Sequence, residues 1–250
     1  DRRYNFSPYE KVLGIDFNLL KKSFEHDSVF IIGSWFDLTA IAVIFIRSIL
    51  GYKYIIWTDT PNITKSRNKY LSFLRNYLIT HIFNNAFYIL GTGKMALRNL
   101  RLMGARENQL VDFPYYIDCN VYSPPNLLND DVSYKYTFLS SGRLVNSQKG
   151  YDISIRAFAK IVVKYPNLPL RYLIAGTGPD LGTLTSLVGS LGVTNKVHFL
   201  GWLEPHSLSD FYKSGLYFLH PALFEPYGVA ILEAMGSANI VIEISSRSTF

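Results

Sequence analysis

The stretch YTFLSSGRLVNSQKGYDISIRAFAKIVVKYPNLPLRYLIAGTGPD, residues 136–180, decides how the chain folds. Its two β-branched and aromatic runs, YTFLSSG (136–142) and YLIAG (172–176), flank a segment of helical apolar spacing, so it reads as strand, helix, strand. Strands joined through a helix run parallel, with a right-handed crossover. Toward the C-terminus the alternation continues in VHFLG (197–201), LYFLHPA (216–222) and IVIEI (240–244). Toward the N-terminus it is present in VFIIG (29–33), YKYIIWT (52–58), AFYILGT (86–92) and QLVDFPYYI (109–117). Between the two series lies VYSPPNLLNDDVS (121–133), rich in Pro and Asn and without apolar periodicity. The expectation is an α/β protein of two doubly wound parallel-sheet domains: an N-terminal domain over 1–122, a linker over 123–134 and a C-terminal domain over 135–250.

Composition supports a globular chain. Of 250 residues, 48% are hydrophobic and 18% charged, enough apolar material for a sizeable core. The single cysteine, Cys119, cannot form an internal disulfide, and no CxxC or Cys/His cluster has metal-ligand spacing. No apolar run reaches the ~20 residues needed to span a bilayer. The N-terminus lacks the order of a signal peptide, so the location expected by default is cytoplasmic.

The net charge of +6 is concentrated in residues 61–110, where eight Lys/Arg stand against Glu107. Within it, residues 65–83 place Leu71, Leu74, Leu78 and Ile82 at helical spacing, with Lys65, Arg67, Lys69 and Arg75 toward the other side. This basic amphipathic helix either docks its apolar stripe on the protein's own core or touches an anionic membrane. No nucleic-acid-binding motif accompanies it.

Ligands of open parallel sheets lie beyond the carboxyl ends of the strands. Gly142 and Arg143 end the first of these strands, with Lys149 six residues on; Gly176 and Gly178 follow the second. After LYFLHPA comes FEPYGVAILEAM (224–235), in which Glu225 precedes Pro226, a residue suited to a first helical position. Glu233, eight residues later, would lie about 12 Å away on the same helix. That separation lets Glu225 face a sugar and Glu233 a ribose, while backbone N–H groups near Tyr227, Gly228 and Val229 meet a phosphate. The alternative is an amphipathic helix with two solvated glutamates.

Other motifs point elsewhere only weakly. GxGxxG would need a glycine at Leu181, and GTGK (91–94) has Tyr88 and Met95 where a P-loop needs Gly and Ser/Thr. There is no GxSxG elbow, HExxH helix or DxD pair, and the histidines at 26, 81, 198, 206 and 220 are scattered and read as structural. Without paired carboxylates to hold a metal, a diphosphate would be neutralised by cationic side chains and helix dipoles.

SSGRLVNSQKGYDISIRAFAKI (140–161), YLIAGTGPD (172–180), VHFLGWL (197–203) and FEPYGVAILEAM together resemble the retaining GT-B nucleotide-sugar glycosyltransferases of family 4, the glycosyl transferases group 1. The resemblance implies two Rossmann-like domains facing across a cleft, and no cofactor. It implies transfer of a sugar from a UDP- or GDP-sugar to a hydroxyl, sugar or lipid-linked, with retention and without an obligatory metal. By that resemblance Arg143 and Lys149 bind the donor diphosphate, Glu225 contacts the sugar and Glu233 the ribose. Asp59 stands where the family commonly has a histidine, which makes it the second catalytic candidate, and Tyr115-Tyr116 replace the usual Asn-Gly before Asp118. The resemblance also implies a copy truncated at both ends; if the basic helix at 65–83 touches a membrane, the expected acceptor is lipid-linked, in cell-surface polysaccharide or glycolipid assembly on the inner face of the membrane. A noncatalytic nucleotide-sugar-binding relic, or an epimerase or phosphorylase of the same fold, would retain the same binding residues. A nicotinamide-dependent oxidoreductase rests only on the βαβ pattern and GTGPD.

Overall fold

The structure, a computed structural model, describes residues 16–33, 35, 37–61, 63, 69–126 and 132–243. The chain divides into two compact units, Asp1–Pro114 and Tyr115–Phe250.

In the first unit the order is α1 (Phe17–Lys22), β1 (Phe30–Ile32), α2 (Leu38–Leu50), β2 (Tyr54–Thr58), α3 (Lys69–Asn85), β3 (Tyr88–Gly91), α4 (Lys94–Leu102) and β4 (Leu110–Asp112). All pairs are parallel and the sheet order is β1-β2-β3-β4, so the described strands advance in one direction. Helix α2 shows why local sequence sets the ends: Asp37 accepts from Ala40 N at 2.8 Å, and Gly51 closes the helix at φ 69°. The core of this unit gathers Ile44, Tyr54, Ile56, Ile82, Phe83 and Ile89. On α3 the inward face is carried by Ile79, Ile82 and Phe83, with Leu78 half-buried. Lys65 and Arg67 lie outside the described residues.

The second unit comprises α5 (Val132–Lys135), β5 (Thr137–Ser141), α6 (Asn146–Lys149), α7 (Tyr151–Lys164), β6 (Arg171–Ala175), α8 (Leu181–Ser190), β7 (Val197–Gly201), α9 (Pro205–Tyr212), β8 (Tyr217–His220), α10 (Val229–Gly236) and β9 (Ile240–Glu243). Its parallel sheet has the order β7-β6-β5-β8-β9. The central strand β5 is buried from Thr137 to Ser140, as a strand covered on both faces must be. Helix α7 lays Tyr151, Ser154, Ile155, Phe158 and Ala159 against it at helical spacing. The chain runs from β5 outward through β6 and β7, then returns to place β8 and β9 on the other side. The strand order therefore reverses between β5 and β8, and in such sheets the ligand crevice lies at that reversal.

The division after Pro114 comes earlier than the expected linker at 123–134, of which residues 127–131 lie outside the described residues. The reason is packing: Ser209 Oγ donates to Val121 O at 2.6 Å, and Ile117 and Tyr122 press on Gly236, so residues 115–122 belong with the second unit.

Candidate functional site

At the carboxyl end of β5 the backbone of residues 142–146 is laced to that of residues 175–180. Gly142 N donates to Ala175 O at 3.0 Å, Leu144 N to Thr177 O at 2.9 Å, and Asp180 N to Leu144 O at 3.2 Å. The Asp180 carboxylate completes the lacing by accepting from Asn146 N at 2.7 Å. These approaches need glycine. A Cβ on Gly176 would stand 1.9 Å from Gly142 O, and one on Gly178 2.4 Å from Leu144 O. The glycines of GTGPD thus serve a close meeting of two backbones.

Beyond these loops opens a cavity of about 690 Å³ whose wall includes Gly142, Arg143, Gly176, Gly178, Val229 and Glu233, with Trp202 and Tyr122 beside them. Helix α10 starts at Val229, with Gly228 at φ 89° as an N-cap lacking a side chain, which leaves first-turn N–H groups to a ligand. This corrects the expectation that Pro226 opens the helix: the left-handed glycine delays it, and Glu225 sits in the preceding loop. Tyr227 turns toward Tyr115, donating from its hydroxyl to Tyr115 O at 3.3 Å, with the rings edge-on at 5.0 Å.

The charge cluster joins the ends of α6 and β8 to the loop that follows β8. Lys149 Nζ donates to Glu225 Oε2, and His220 Nε2 lies 3.3 Å from the same oxygen. Burial pushes the Glu225 carboxyl upward, but His220 and Lys149 together outweigh it and hold the group down at about 2. The turn bearing Lys149 is fixed against the strand end, because Leu223 N and Phe224 N both donate to Gln148 O, at 2.9 and 3.1 Å.

Glu233 is supported separately. Tyr212 donates from its hydroxyl to Glu233 Oε2 at 2.8 Å, and Ser141 Oγ lies 2.7 Å from the same phenol. With the phenolic hydrogen committed to the carboxylate, the serine donates to the phenol oxygen. Burial, then the charge of Glu233, pushes Tyr212 far up; burial and Glu233 likewise raise Tyr122 to about 12.

The second unit thus brings together Gly142, Arg143, Gly176, Gly178, Val229 and Glu233 around the cavity, and Lys149 at the end of α6 with Glu225 on the loop after β8. Asp59 is exposed just after β2, in the first unit. Sequence reading missed His220, Tyr212 and Tyr122. For His220 a signal was present: it ends a β-run, the position beyond which chemistry collects in parallel sheets. Among the described residues no group of three or more His, Cys, Asp or Glu could hold a metal ion, and no helix is long and apolar enough to cross a membrane.

Residues 130–248, just under half of the chain, match the family described as glycosyl transferases group 1. Over 101 residues the chain is 38% identical to an uncharacterised glycosyltransferase of Methanocaldococcus jannaschii, covering 40% of this chain and 25% of that protein. Over 105 residues it is 33% identical to mannosylfructose-phosphate synthase of Agrobacterium fabrum, covering 40% of this chain and 23% of the synthase. The matched region is therefore about a quarter of the length of these relatives. The fold resembles that of Anabaena HepE in complex with UDP, with a TM-score of 0.71 at 16% identity over 92% of this chain and 63% of that one. It also resembles the lipopolysaccharide outer core galactosyltransferase WaaB, with a TM-score of 0.61 at 18% identity over 91% of this chain and 59% of that one. The two parallel-sheet units are Rossmann-like and of the GT-B class.

Proposed function

We propose that the chain is part of a retaining glycosyltransferase that moves a sugar from a UDP- or GDP-sugar to a hydroxyl, without an obligatory metal. The observation that carries this reading is the reversal of strand order between β5 and β8, where a cavity edged by Arg143, Glu233 and the start of α10 adjoins the Lys149–Glu225 pair. Each of these groups suits one part of such a donor. Arg143, Lys149 and the N–H groups at Gly228 and Val229 supply fixed positive charge where a departing diphosphate gains negative charge, the place where preorganised donors contribute most. Glu225, held ionised, suits a sugar whose anomeric carbon becomes positive, and Glu233 suits the hydroxyls of a ribose. Tyr227 enters through its backbone at the turn before α10. Asp59 is assigned a sugar contact from the N-terminal unit, which would take the acceptor.

The acceptor class we assign is a lipid-linked or free sugar in cell-surface polysaccharide or glycolipid assembly, with residues 65–83 resting on an anionic membrane. The 38%-identical archaeal relative and the synthase are both named for transfer or synthesis of glycosides, which supports the class of reaction.

The test is calorimetric titration of the folded chain with UDP and GDP in EDTA, beside Lys149→Ala. Metal-free binding that weakens at least tenfold in the variant is expected, since a charge-assisted contact is lost. Absence of binding to both nucleotides by a folded chain overturns the reading for this segment.

A further inference from the structure

His220 ends β8 with 3% of its surface exposed, its ring stacked on Phe218 at 6.3 Å and 20°. Its Nε2 is buried without a hydrogen-bond partner, although Glu225 Oε2 is 3.3 Å away. That oxygen is engaged by Lys149. The oxygen has room for a second donor, but the ring N–H does not reach it in hydrogen-bonding geometry, and a buried donor left short of its acceptor is an unfinished arrangement because leaving it unsatisfied is costly. The carboxylate beside the ring favours the tautomer with its hydrogen on Nε2, so His220 is a donor in waiting.

Lys149 can leave Glu225 more readily than Glu225 can be left alone. The lysine is a compact point charge on a flexible stem, and a diphosphate offers it more negative charge than one carboxylate does. The Glu225 side chain is only 15% exposed, so losing its lysine without replacement would strand a half-desolvated anion. We propose that His220 is a positioning residue for Glu225. When Lys149 is drawn to an anionic ligand, the carboxylate turns onto His220 Nε2–H and stays at the site. The identity of that ligand rests on the nucleotide-sugar reading above; the exchange of partners by Glu225 does not.

Two experiments separate these. In the first, UDP is titrated into wild type, His220→Phe and His220→Gln, each shown to be folded by its urea midpoint. Phenylalanine keeps a ring on Phe218 but has no N–H, so Lys149 stays pinned and UDP binds about tenfold more weakly; glutamine restores a donor and returns affinity to within about threefold of wild type. A merely structural histidine would not be rescued by glutamine. Equal affinity in all three proteins, or equal loss in both variants, overturns the proposal. In the second, the crystal structure of Lys149→Met is determined without ligand. Glu225 Oε2 is expected within about 3 Å of His220 Nε2 in hydrogen-bonding geometry. A carboxylate that stays put or turns to solvent overturns the proposal. If wild type binds no UDP or GDP, the nucleotide-sugar reading falls, and the Lys149→Met structure alone decides the role of His220.

Discussion

Tyr212 donates its phenolic hydrogen to Glu233 Oε2 across 2.8 Å, so a carboxylate on the cavity wall is held by a residue 21 positions earlier in the chain. Burial and then Glu233 push the phenol far above its ordinary range, which favours the protonated form that donates.

Tyr212→Phe is expected to cost roughly 1–3 kcal/mol of folding stability, since the phenol is fully buried and both Glu233 and Ser141 lose their partner. Urea denaturation checks this, as a lower midpoint at unchanged slope. A midpoint equal to wild type would mean that the phenol carries no net weight.

Acid acts on Glu225. Its folded carboxyl is held at about 2, below the ordinary value of 4.5, so the charged form contributes stability that is fully present above about pH 4.5 and drains away as pH falls toward 2. The urea midpoint of Glu225→Gln should therefore approach that of wild type on acidification through this window. Curves that stay parallel from neutral pH to pH 2 would contradict the depressed value.

Two glycines of GTGPDLG (176–182) make opposite predictions. Gly178→Ala forces a Cβ to within 2.4 Å of Leu144 O and should destabilise by more than about 3 kcal/mol or prevent folding. Gly182→Ala, in α8 with nothing within 4 Å of the new methyl, should stabilise by about 0.5–1 kcal/mol. Thermal melts of the two variants provide the comparison.

On α3, Phe73 and Tyr77 are 77% and 68% exposed, one helical turn apart. If this helix rests on lipid, vesicles containing phosphatidylserine should retain the protein at low salt and neutral vesicles should not, with retention weakened in Phe73→Ser/Tyr77→Ser. Failure of anionic vesicles to retain the wild type rules out the membrane assignment.

The parallel strands of both units were legible because each is a short β-branched or aromatic run, and Val229 to Glu233 because its neighbours spell a helix. The charge pair of Lys149 and Glu225 could be anticipated as two site residues, but not as partners, since 76 positions separate them and only the return of the chain at β8 joins them. Tyr212 and Tyr122 were invisible for a similar reason: aromatic residues in an aromatic-rich chain read as core, and what distinguishes these two is a hydroxyl aimed at a glutamate. Pro226 reads as a helix opener, yet α10 starts at Val229, because the left-handed Gly228 that overrides the proline shows only as a backbone angle. Proline and asparagine mark irregular chain, but the compact units divide after Pro114 because residues 115–122 are irregular and still packed.

The lacing of residues 142–146 to 175–180 bears on the thermodynamics of recognition. Loops already tied by four hydrogen bonds have little conformational freedom left to surrender, so a ligand settling there meets a surface whose entropy was lost during folding. Association should consequently be governed by contact enthalpy, with small ordering penalties. The amides of Gly142, Leu144 and Asp180 should exchange with deuterium as slowly before a ligand arrives as after it.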